Sequence, residues 1–181
     1  MLDVPPSRSG VCAVDVDCAD ALQLLEAYFD ELRERFGSFD PPSREALRAD
    51  AARGVVLIAY DSGNAVACGS LRLLDSYTAE VKRMFVAPEA RGRGHGRQVL
   101  RALEERARSM GCRRVVLDTA ASLKEAASMY LSEGYVAIEP YNDNPYAAHW
   151  FEKRLVQPGS SDDDGPRLEQ GRPGRRQGHE G

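Results

Sequence analysis

The chain has few residues of the kinds that bind structural metals. Among 181 residues there are four cysteines, three histidines and a single tryptophan. The cysteines show no CxxC spacing and the histidines form no HxxxH pair, although structural zinc sites depend on such spacing. We therefore expect no metal site, and we expect the cysteines to be buried, reduced thiols.

Long apolar runs are also missing. Nowhere do about 18 apolar residues follow one another, which is the length that a membrane-spanning helix needs. The first ten residues, MLDVPPSRSG, lack the apolar core of a secretory leader. The sequence predicts a cytoplasmic protein with no membrane partner.

An excess of positive charge is absent. The formal net charge is -4 and the isoelectric point is near 5.5, and only three of the basic residues are lysine. General affinity for nucleic acid requires the neutralisation of many phosphates. We therefore expect no nucleic-acid partner, and any basic site must be local.

Composition divides the chain into three parts. Residues 157–181 are rich in proline, glycine and charge and have almost no large apolar residue, so burial cannot offset the entropy of ordering them. We predict a disordered tail there, a flexible N-terminus over residues 1–9 and one folded domain over residues 10–156. The hydrophobic content of 43% suffices for a sizeable core.

Hydrophobic periodicity within the domain predicts the order strand, two helices, three strands, helix, strand, helix and two strands. Residues 10–17 alternate as a strand, residues 135–141 form a short strand, and Ser43 is placed to cap the second helix. Asp61–Asn64 marks a hairpin turn, and Gly111 and Gly134 follow the last two helices. The expected fold is α/β (α+β), with one mixed, mostly antiparallel sheet of six or seven strands and about four helices.

The segment RGRGHGR, residues 91–97, lies between a predicted strand and a predicted helix. Its three glycines leave backbone N–H groups unhindered at a helix N-terminus, where the helix dipole favours an anion. Three arginines add to the local positive potential. This pattern indicates a phosphate or pyrophosphate cradle, and a purely structural loop is the alternative.

Three other phosphate or nucleic-acid motifs do not match. A Walker loop requires Gly-Lys followed by Ser or Thr, which this chain lacks. A dinucleotide fingerprint follows the first strand of a parallel unit and reads GxGxxG, whereas here a strand meander precedes GxGxG. An arginine-glycine RNA-binding tail would lie in a disordered segment, not between a strand and an amphipathic helix.

The run EVKRMFVAPEARGRGHGRQVLRALEERARSMG resembles the acetyl-CoA-binding motif of the GNAT acetyltransferase superfamily. Arg91, Gly94 and Gly96 match its (Gln/Arg)-x-x-Gly-x-(Gly/Ala) signature. The later AASMYLSEGY is similar to a second family segment about 40 residues further on, and the resemblance covers roughly residues 10–155. It implies an acetyl-CoA-dependent N-acetyltransferase with a sheet that is splayed at the cofactor slot by a bulged strand.

The resemblance implies two groups of cofactor-binding residues. Backbone groups of the strand before the motif would bind the pantetheine arm, and the motif itself would bind the pyrophosphate. The first group is Met84, Phe85 and Val86, and the second is Arg91, Gly92, Arg93, Gly94, His95, Gly96 and Arg97.

Two catalytic residues are carried over from the resemblance. Glu80 matches a position where several family members hold a catalytic glutamate, so it is the expected base for the amine; Asp118 is a weaker candidate. Tyr130 matches the general acid that protonates the thiolate of coenzyme A. Leu123 departs from the family pattern, because many relatives have an asparagine or glutamine at that position that contacts the cofactor.

The acceptor residues are expected on the first helices, the sheet centre and the loop between the last two strands. Arg83 or Arg72 would pair with an acceptor carboxylate. The expected acceptor is the primary amine of a small molecule or amino acid, by direct transfer. A peptide N-terminus or lysine as acceptor, a non-catalytic acyl-CoA-binding module and a homodimer stay open. The candidate residues are Tyr28, Phe29, Arg83, Asn142, Asn144 and Tyr146.

Overall fold

The computed structural model of this chain describes residues 9–156. The expected disordered tail, residues 157–181, and nearly all of the expected flexible N-terminus lie outside the described residues. In the described range no helix is long and apolar enough to span a membrane.

One sheet of seven strands runs through the described residues in the order β1-β2-β3-β4-β5-β7-β6. Only β4 and β5 pair in parallel; all other neighbours are antiparallel. The predicted element order and fold class are confirmed. The strands are β1 (Gly10–Val14), β2 (Gly54–Asp61), β3 (Asn64–Leu73), β4 (Thr78–Val86), β5 (Arg114–Thr119), β6 (Val136–Ile138) and β7 (His149–Arg154). The helices are α1 (Ala19–Phe36), α2 (Arg44–Ala52), α3 (His95–Ser109) and α4 (Lys124–Ser132), with a 3-10 turn at Pro88–Ala90.

Helices cover both faces of the sheet, so the strand β2 is buried on both sides and reads as a continuous apolar run. Val55 and Leu57 face α3 and α4, in a core with Leu100 and Leu103. Val56 and its alternating neighbours face α1 and α2 instead.

Two predicted strands are shorter in the structure. The predicted strand 10–17 ends at Val14, because the Asp15 carboxylate accepts the N–H of Asp17 (2.8 Å) and starts a turn. The predicted strand 135–141 forms only Val136–Ile138 and stops before Pro140, which has no N–H for the ladder. Its last residue, Tyr141, turns inward and contributes to the site.

Two local predictions about turns and caps are confirmed. The Ser43 hydroxyl accepts the N–H of Ala46 (3.1 Å) and caps α2. Ser62 and Gly63, between β2 and β3, both have positive φ, at 51° and 84°, as a type I′ hairpin turn requires.

The strand β4 carries a bulge and then separates from β5. Cys68 pairs with Phe85 and Ser70 with Lys82, so two residues of β4, Arg83 and Met84, lie opposite Gly69. Arg83 has φ 56°, in the left-handed region, which is the backbone conformation of a bulge. The parallel pairing of β4 with β5 is limited to Thr78–Glu80, and the strands diverge beyond it.

The bulge yields a prediction about Gly69. A Cβ at this position would lie 2.5 Å from Met84 Sδ and 2.9 Å from Val99 Cγ1. We predict that Gly69→Ala destabilises the fold by about 1–3 kcal/mol through overpacking. In thermal unfolding the melting temperature should fall by about 3–10 °C. The control Asn64→Ala, at the exposed end of the same strand, should change the free energy of unfolding by less than about 0.5 kcal/mol. Equal stability of the two variants would contradict this packing.

Candidate active site

Two cavities meet where β4 and β5 diverge. The larger, of about 520 Å³, extends to the loop before α3, and the smaller, of about 340 Å³, extends to the α1–α2 loop and the β6–β7 loop. Both are lined by Tyr28, Met84 and Tyr130, so they share a wall. We refer to them below as the donor cavity and the acceptor cavity.

The loop before α3 has the geometry of an anion cradle. Gly92 and Gly94 have φ values of 75° and 86°, a conformation that favours glycine. The first intrahelical bond of α3 runs from Gln98 N–H to Gly94 O (3.0 Å), and Gly94 has no side-chain cap. The N–H groups of the first helical turn are therefore available to an anion in the donor cavity.

Gly96 permits a close approach between the helix and the sheet. A Cβ at Gly96 would lie 3.1 Å from Val86 Cγ2 and 3.4 Å from Met129 Sδ. At Gly94, by contrast, a Cβ would meet nothing within 4 Å. Gly96 is thus needed for packing, whereas Gly94 is needed for its backbone conformation.

The motif arginines are engaged in ion pairs with carboxylates from other elements. Arg91 pairs with Glu31 of α1 and donates to Val86 O (3.0 Å), and Arg93 pairs with Asp61. Arg97 pairs with Glu133 (2.6 Å). Since a carboxylate reduces the field of each guanidinium, the backbone N–H groups are the principal positive feature of the cradle.

The remaining predicted cofactor residues also border the donor cavity. Met84, Phe85 and Val86 line it along β4, on the edge that β5 leaves free beyond Glu80. His95 is buried at the first turn of α3, and its Nε2 lies 3.7 Å from Asp61 Oδ2. Arg93 is the one predicted cofactor residue that does not line the cavity.

Two tyrosines stand at the junction of the cavities. Within residues 9–156 neither the Tyr28 nor the Tyr130 hydroxyl has a hydrogen-bond partner. Burial raises the pKa of Tyr130 above the ordinary value for a phenol, and the nearby Tyr28 and Asp118 act in the same direction. Burial likewise raises the pKa of Tyr28. Both side chains therefore remain neutral hydrogen-bond donors at physiological pH.

Glu80 lies behind the acceptor cavity and does not line it. Its carboxylate is 1% exposed and accepts from Arg72 Nε (2.6 Å) and from the Tyr141 hydroxyl (3.0 Å). Lys82 Nζ is 3.6 Å away, and Asn142 Nδ2 is 3.4 Å from Oε1. Burial and the charge of Glu80 raise the pKa of Tyr141, so its phenol keeps the proton that it donates. The expected base is thus enclosed by its own partners.

Asp118, like Asp40, is a carboxylate that lines the acceptor cavity. Its two oxygens accept from Asn142 Nδ2 (2.6 Å) and Asn144 Nδ2 (2.8 Å). Asn142 Oδ1 in turn accepts from Trp150 Nε1 (2.9 Å), which fixes the orientation of the amide. The predicted acceptor residues Asn142 and Asn144 therefore hold Asp118 in place by hydrogen bonds. In the sequence analysis Asp118 was a weaker candidate for the base than Glu80.

Aromatic side chains form the outer wall of the acceptor cavity. Phe36 and Tyr146 are stacked with ring centroids 5.3 Å apart and an interplanar angle of 10°. Phe39 lies 5.1 Å from Tyr146 and 5.9 Å from Phe29. The predicted residues Tyr28, Phe29 and Tyr146 all line this cavity, and Arg83 does so from the bulge.

Sequence reasoning did not identify Asp50 of α2. Its carboxylate binds Arg83 Nη2 (2.6 Å) and Arg72 Nη1 (2.7 Å). Burial acts to raise the pKa of Asp50, but the two arginines outweigh it and hold that pKa below its usual range. No local motif marks Asp50, because its partners come from strands that only the fold brings together.

Leu123 is an apolar wall residue at the point where the family pattern has an amide. It precedes α4 without a side-chain cap and lines both cavities. It also packs against the core below α1 and α2. The donor cavity therefore has an apolar side chain at this position.

The sequence as a whole is similar to known acetyltransferases. The acetyltransferase (GNAT) family model matches residues 21–135. An IAA acetyltransferase of Azospirillum brasilense is 35% identical over 103 residues, which cover 55% of this chain and 67% of that protein. An uncharacterized N-acetyltransferase of Schizosaccharomyces pombe is 29% identical over 147 residues, 77% of this chain and 90% of that protein.

Solved structures share the fold. A GNAT family acetyltransferase from Staphylococcus aureus Mu50 superposes with a TM-score of 0.69 at 17% identity, over 81% of this chain and 100% of that chain. A GNAT family acetyltransferase from Elizabethkingia anophelis, solved with acetyl-CoA bound, superposes with a TM-score of 0.60 at 18% identity. The match covers 80% of this chain and 97% of that chain. Since the family model spans more than half of the sequence, this chain belongs to the GNAT family of acetyltransferases and is an acyltransferase.

Proposed function

We propose that this chain transfers the acetyl group of acetyl-CoA directly to the primary amine of a small molecule or amino acid. The observation that carries the proposal is the junction of the donor and acceptor cavities at Tyr28, Met84 and Tyr130. Two substrates bound in these cavities would meet at that junction. Direct transfer then requires no acyl-enzyme intermediate.

Acetyl-CoA is the acetyl donor, and the donor cavity fits it. The N–H groups of residues 92–97 suit its pyrophosphate, which is the negative group that a helix N-terminus favours. The free edge of β4 suits the pantetheine amides, which hydrogen-bond to a strand as a further strand does. The acetyl-CoA bound to the related Elizabethkingia anophelis acetyltransferase supports this assignment.

During the transfer, two protons must leave the amine nitrogen. A protonated amine releases one proton to solvent and attacks the acetyl carbonyl carbon with its lone pair. The C–N bond forms, the C–S bond breaks, and its electron pair leaves on sulfur. The second amine proton ends on the thiol, so the products are the acetamide, coenzyme A and one released proton.

Tyr130 would stabilise the leaving sulfur. Its hydroxyl lies at the junction and has no other partner in the described residues, so it is available to the developing thiolate. A phenol is a weaker acid than a thiol of pKa about 8.5, and burial weakens it further. We therefore propose that Tyr130 donates a hydrogen bond and passes on a proton only as it is itself reprotonated.

The two carboxylates near the acceptor would have different roles. Asp118 lines the acceptor cavity, whereas Glu80 does not line it and contacts Asn142, Tyr141 and Lys82. We propose that Glu80 is a positioning residue, because it orients Asn142, which in turn binds Asp118. Glu80 then affects the amine through this chain of hydrogen bonds.

A first prediction concerns the cradle. At Gly94 a side chain would extend into open space beside the donor cavity, so its charge matters more than its bulk. We predict that Gly94→Asp abolishes acetyl-CoA binding in calorimetry. Gly94→Asn is the matched control, since asparagine tolerates positive φ and has nearly the same shape without the charge. It should bind at least about ten times more tightly than Gly94→Asp, because the repulsion of a pyrophosphate by one carboxylate exceeds about 1.4 kcal/mol. Equal affinities would place the pyrophosphate elsewhere.

A second prediction concerns Tyr130. Loss of its hydrogen bond in Tyr130→Phe should lower kcat by about 100-fold, with little change in acetyl-CoA affinity. Burial raises the pKa of Tyr130 above the ordinary phenol value of about 10, so its phenol stays protonated between pH 7 and 9. The ratio of wild-type to variant kcat should therefore be constant over this range. A kcat of Tyr130→Phe equal to that of the wild type would refute the assignment.

A third prediction separates a base from a positioning residue at Glu80. Glu80→Gln keeps the shape but removes the charge that pairs with Arg72, so the melting temperature should fall by several degrees. Because Glu80 does not touch the cavity, kcat should fall by less than about 10-fold. A residue that removes the proton directly would give a loss of about 100-fold or more. Measurement of kcat and thermal unfolding on the same preparation distinguishes the two roles.

A further inference from the structure

The acceptor cavity combines an aromatic wall with a polar inner end. Phe36, Phe39 and Tyr146 are in mutual ring contact, with centroids 5.1 to 6.1 Å apart. Asp118 lies at the inner end, where β5 diverges from β4. A ligand that spans the cavity would thus place a flat apolar group at the wall and a polar group at Asp118.

The inner end carries a negative charge that forms no ion pair within the described part of the chain. Both oxygens of Asp118 accept from neutral amides, those of Asn142 and Asn144. Within residues 9–156 no lysine, arginine or histidine nitrogen lies within 4 Å of this carboxylate. Neutral amides donate hydrogen bonds without cancelling the charge of a carboxylate, so Asp118 remains able to bind a cation.

The basic side chains near the cavity already have anionic partners. Arg83 is 10% exposed and pairs with Asp50. Arg72 pairs with both Asp50 and Glu80, and Lys82 Nζ lies 3.6 Å from Glu80. From the sequence, Arg83 or Arg72 was expected to bind an acceptor carboxylate. Both guanidinium groups are already paired with carboxylates of the protein, which disfavours this expectation. A carboxylate on the acceptor would instead meet the negative charge of Asp118.

From this arrangement we infer that the acceptor is an arylalkylamine, a primary amine joined to an aromatic ring by a short chain and carrying no carboxylate. Its ammonium pairs with Asp118, and its ring packs against Phe36, Phe39 and Tyr146. This inference rests on the proposed function and narrows its substrate class. It assigns Asp118 as the residue that selects the amine.

The same contact aids the reaction without a further reagent. The ammonium on Asp118 lies on the acceptor side of Tyr28 and Tyr130, toward the donor thioester. Once one ammonium proton has passed to solvent, the neutral amine keeps a hydrogen bond to the carboxylate, which directs its lone pair toward the carbonyl carbon. Asn142 and Asn144 keep Asp118 in place during this change.

The test uses matched acceptors with acetyl-CoA and measures thiol release. Phenethylamine and phenylalanine differ by one carboxylate, as do tryptamine and tryptophan; butylamine and spermidine lack the ring. We expect kcat/KM for each arylalkylamine to exceed that for its amino acid by about 100-fold or more. Because butylamine and spermidine lose the ring packing, kcat/KM for each arylalkylamine should also exceed the values for these two amines by about 10-fold or more.

A variant then tests the residue. Asp118→Asn should raise the KM for phenethylamine by about 10- to 100-fold and weaken its calorimetric binding in the presence of coenzyme A to a similar extent. The affinity for acetyl-CoA should stay within about two-fold. Asp30→Asn is the matched control, because Asp30 is exposed on α1 and pairs only with Arg33. It should leave both parameters unchanged.

The outcomes distinguish this inference from the proposed function. Turnover that favours the amino acids, or spermidine, overturns the inference and leaves the acetyltransferase proposal intact. Turnover with no amine, by a folded protein that binds acetyl-CoA, overturns both. An Asp118→Asn variant that binds phenethylamine as well as the wild type removes Asp118 from the acceptor site.

Discussion

The ion pairs of Asp50 fix the point at which β4 leaves β5. Arg83 adopts a left-handed backbone conformation that a residue with a side chain rarely occupies, and Asp50 binds its guanidinium at 2.6 Å. The second arm of Asp50 binds Arg72, which binds Glu80. The network thus joins α2, β3 and β4 around the bulge, and the bulge opens the space that both cavities use.

This constraint explains why the two carboxylates near the opening, Glu80 and Asp118, have different surroundings. Glu80 is buried within the network, where each of its oxygens has a partner, so its charge stabilises the strand rather than facing a ligand. Asp118 stands beyond Val116, the last residue of β5 that pairs with β4, on the side of the opening. Of these two carboxylates on the sheet, Glu80 is therefore part of the ion-pair network around the bulge, and Asp118 faces the cavity. A similar split applies to the motif loop, where arginines join neighbouring elements and backbone N–H groups face the cavity.

Much of the fold could be predicted from the sequence because its signals are local. The apolar runs of β2 and β3, the cap at Ser43 and the turn at Ser62-Gly63 depend on residues close in the chain. The glycine motif before α3 is likewise contiguous, which is why the cofactor loop was identifiable. Its resemblance to a family motif added the expectation of a bulge, which the positive φ of Arg83 confirms.

The acceptor site was less predictable because its parts are distant in sequence. Asp50 and Arg83 are joined only by the packing of α2 on the sheet, and no spacing rule marks them. Tyr141 was expected in a strand, but Pro140 ends that strand and lets the phenol reach Glu80. Asp118 gained importance only when the structure placed Asn142 and Asn144 on its two oxygens. Such long-range contacts decide which of several plausible carboxylates faces a ligand.

The most direct test of this account is a crystal structure of the chain with coenzyme A and phenethylamine. The account predicts the pyrophosphate against the N–H groups of residues 92–97 and the sulfur within hydrogen-bond distance of the Tyr130 hydroxyl. It also predicts the amine nitrogen within hydrogen-bond distance of Asp118. A coenzyme bound away from the opening between β4 and β5, or an amine nitrogen remote from both Asp118 and the sulfur, would contradict it.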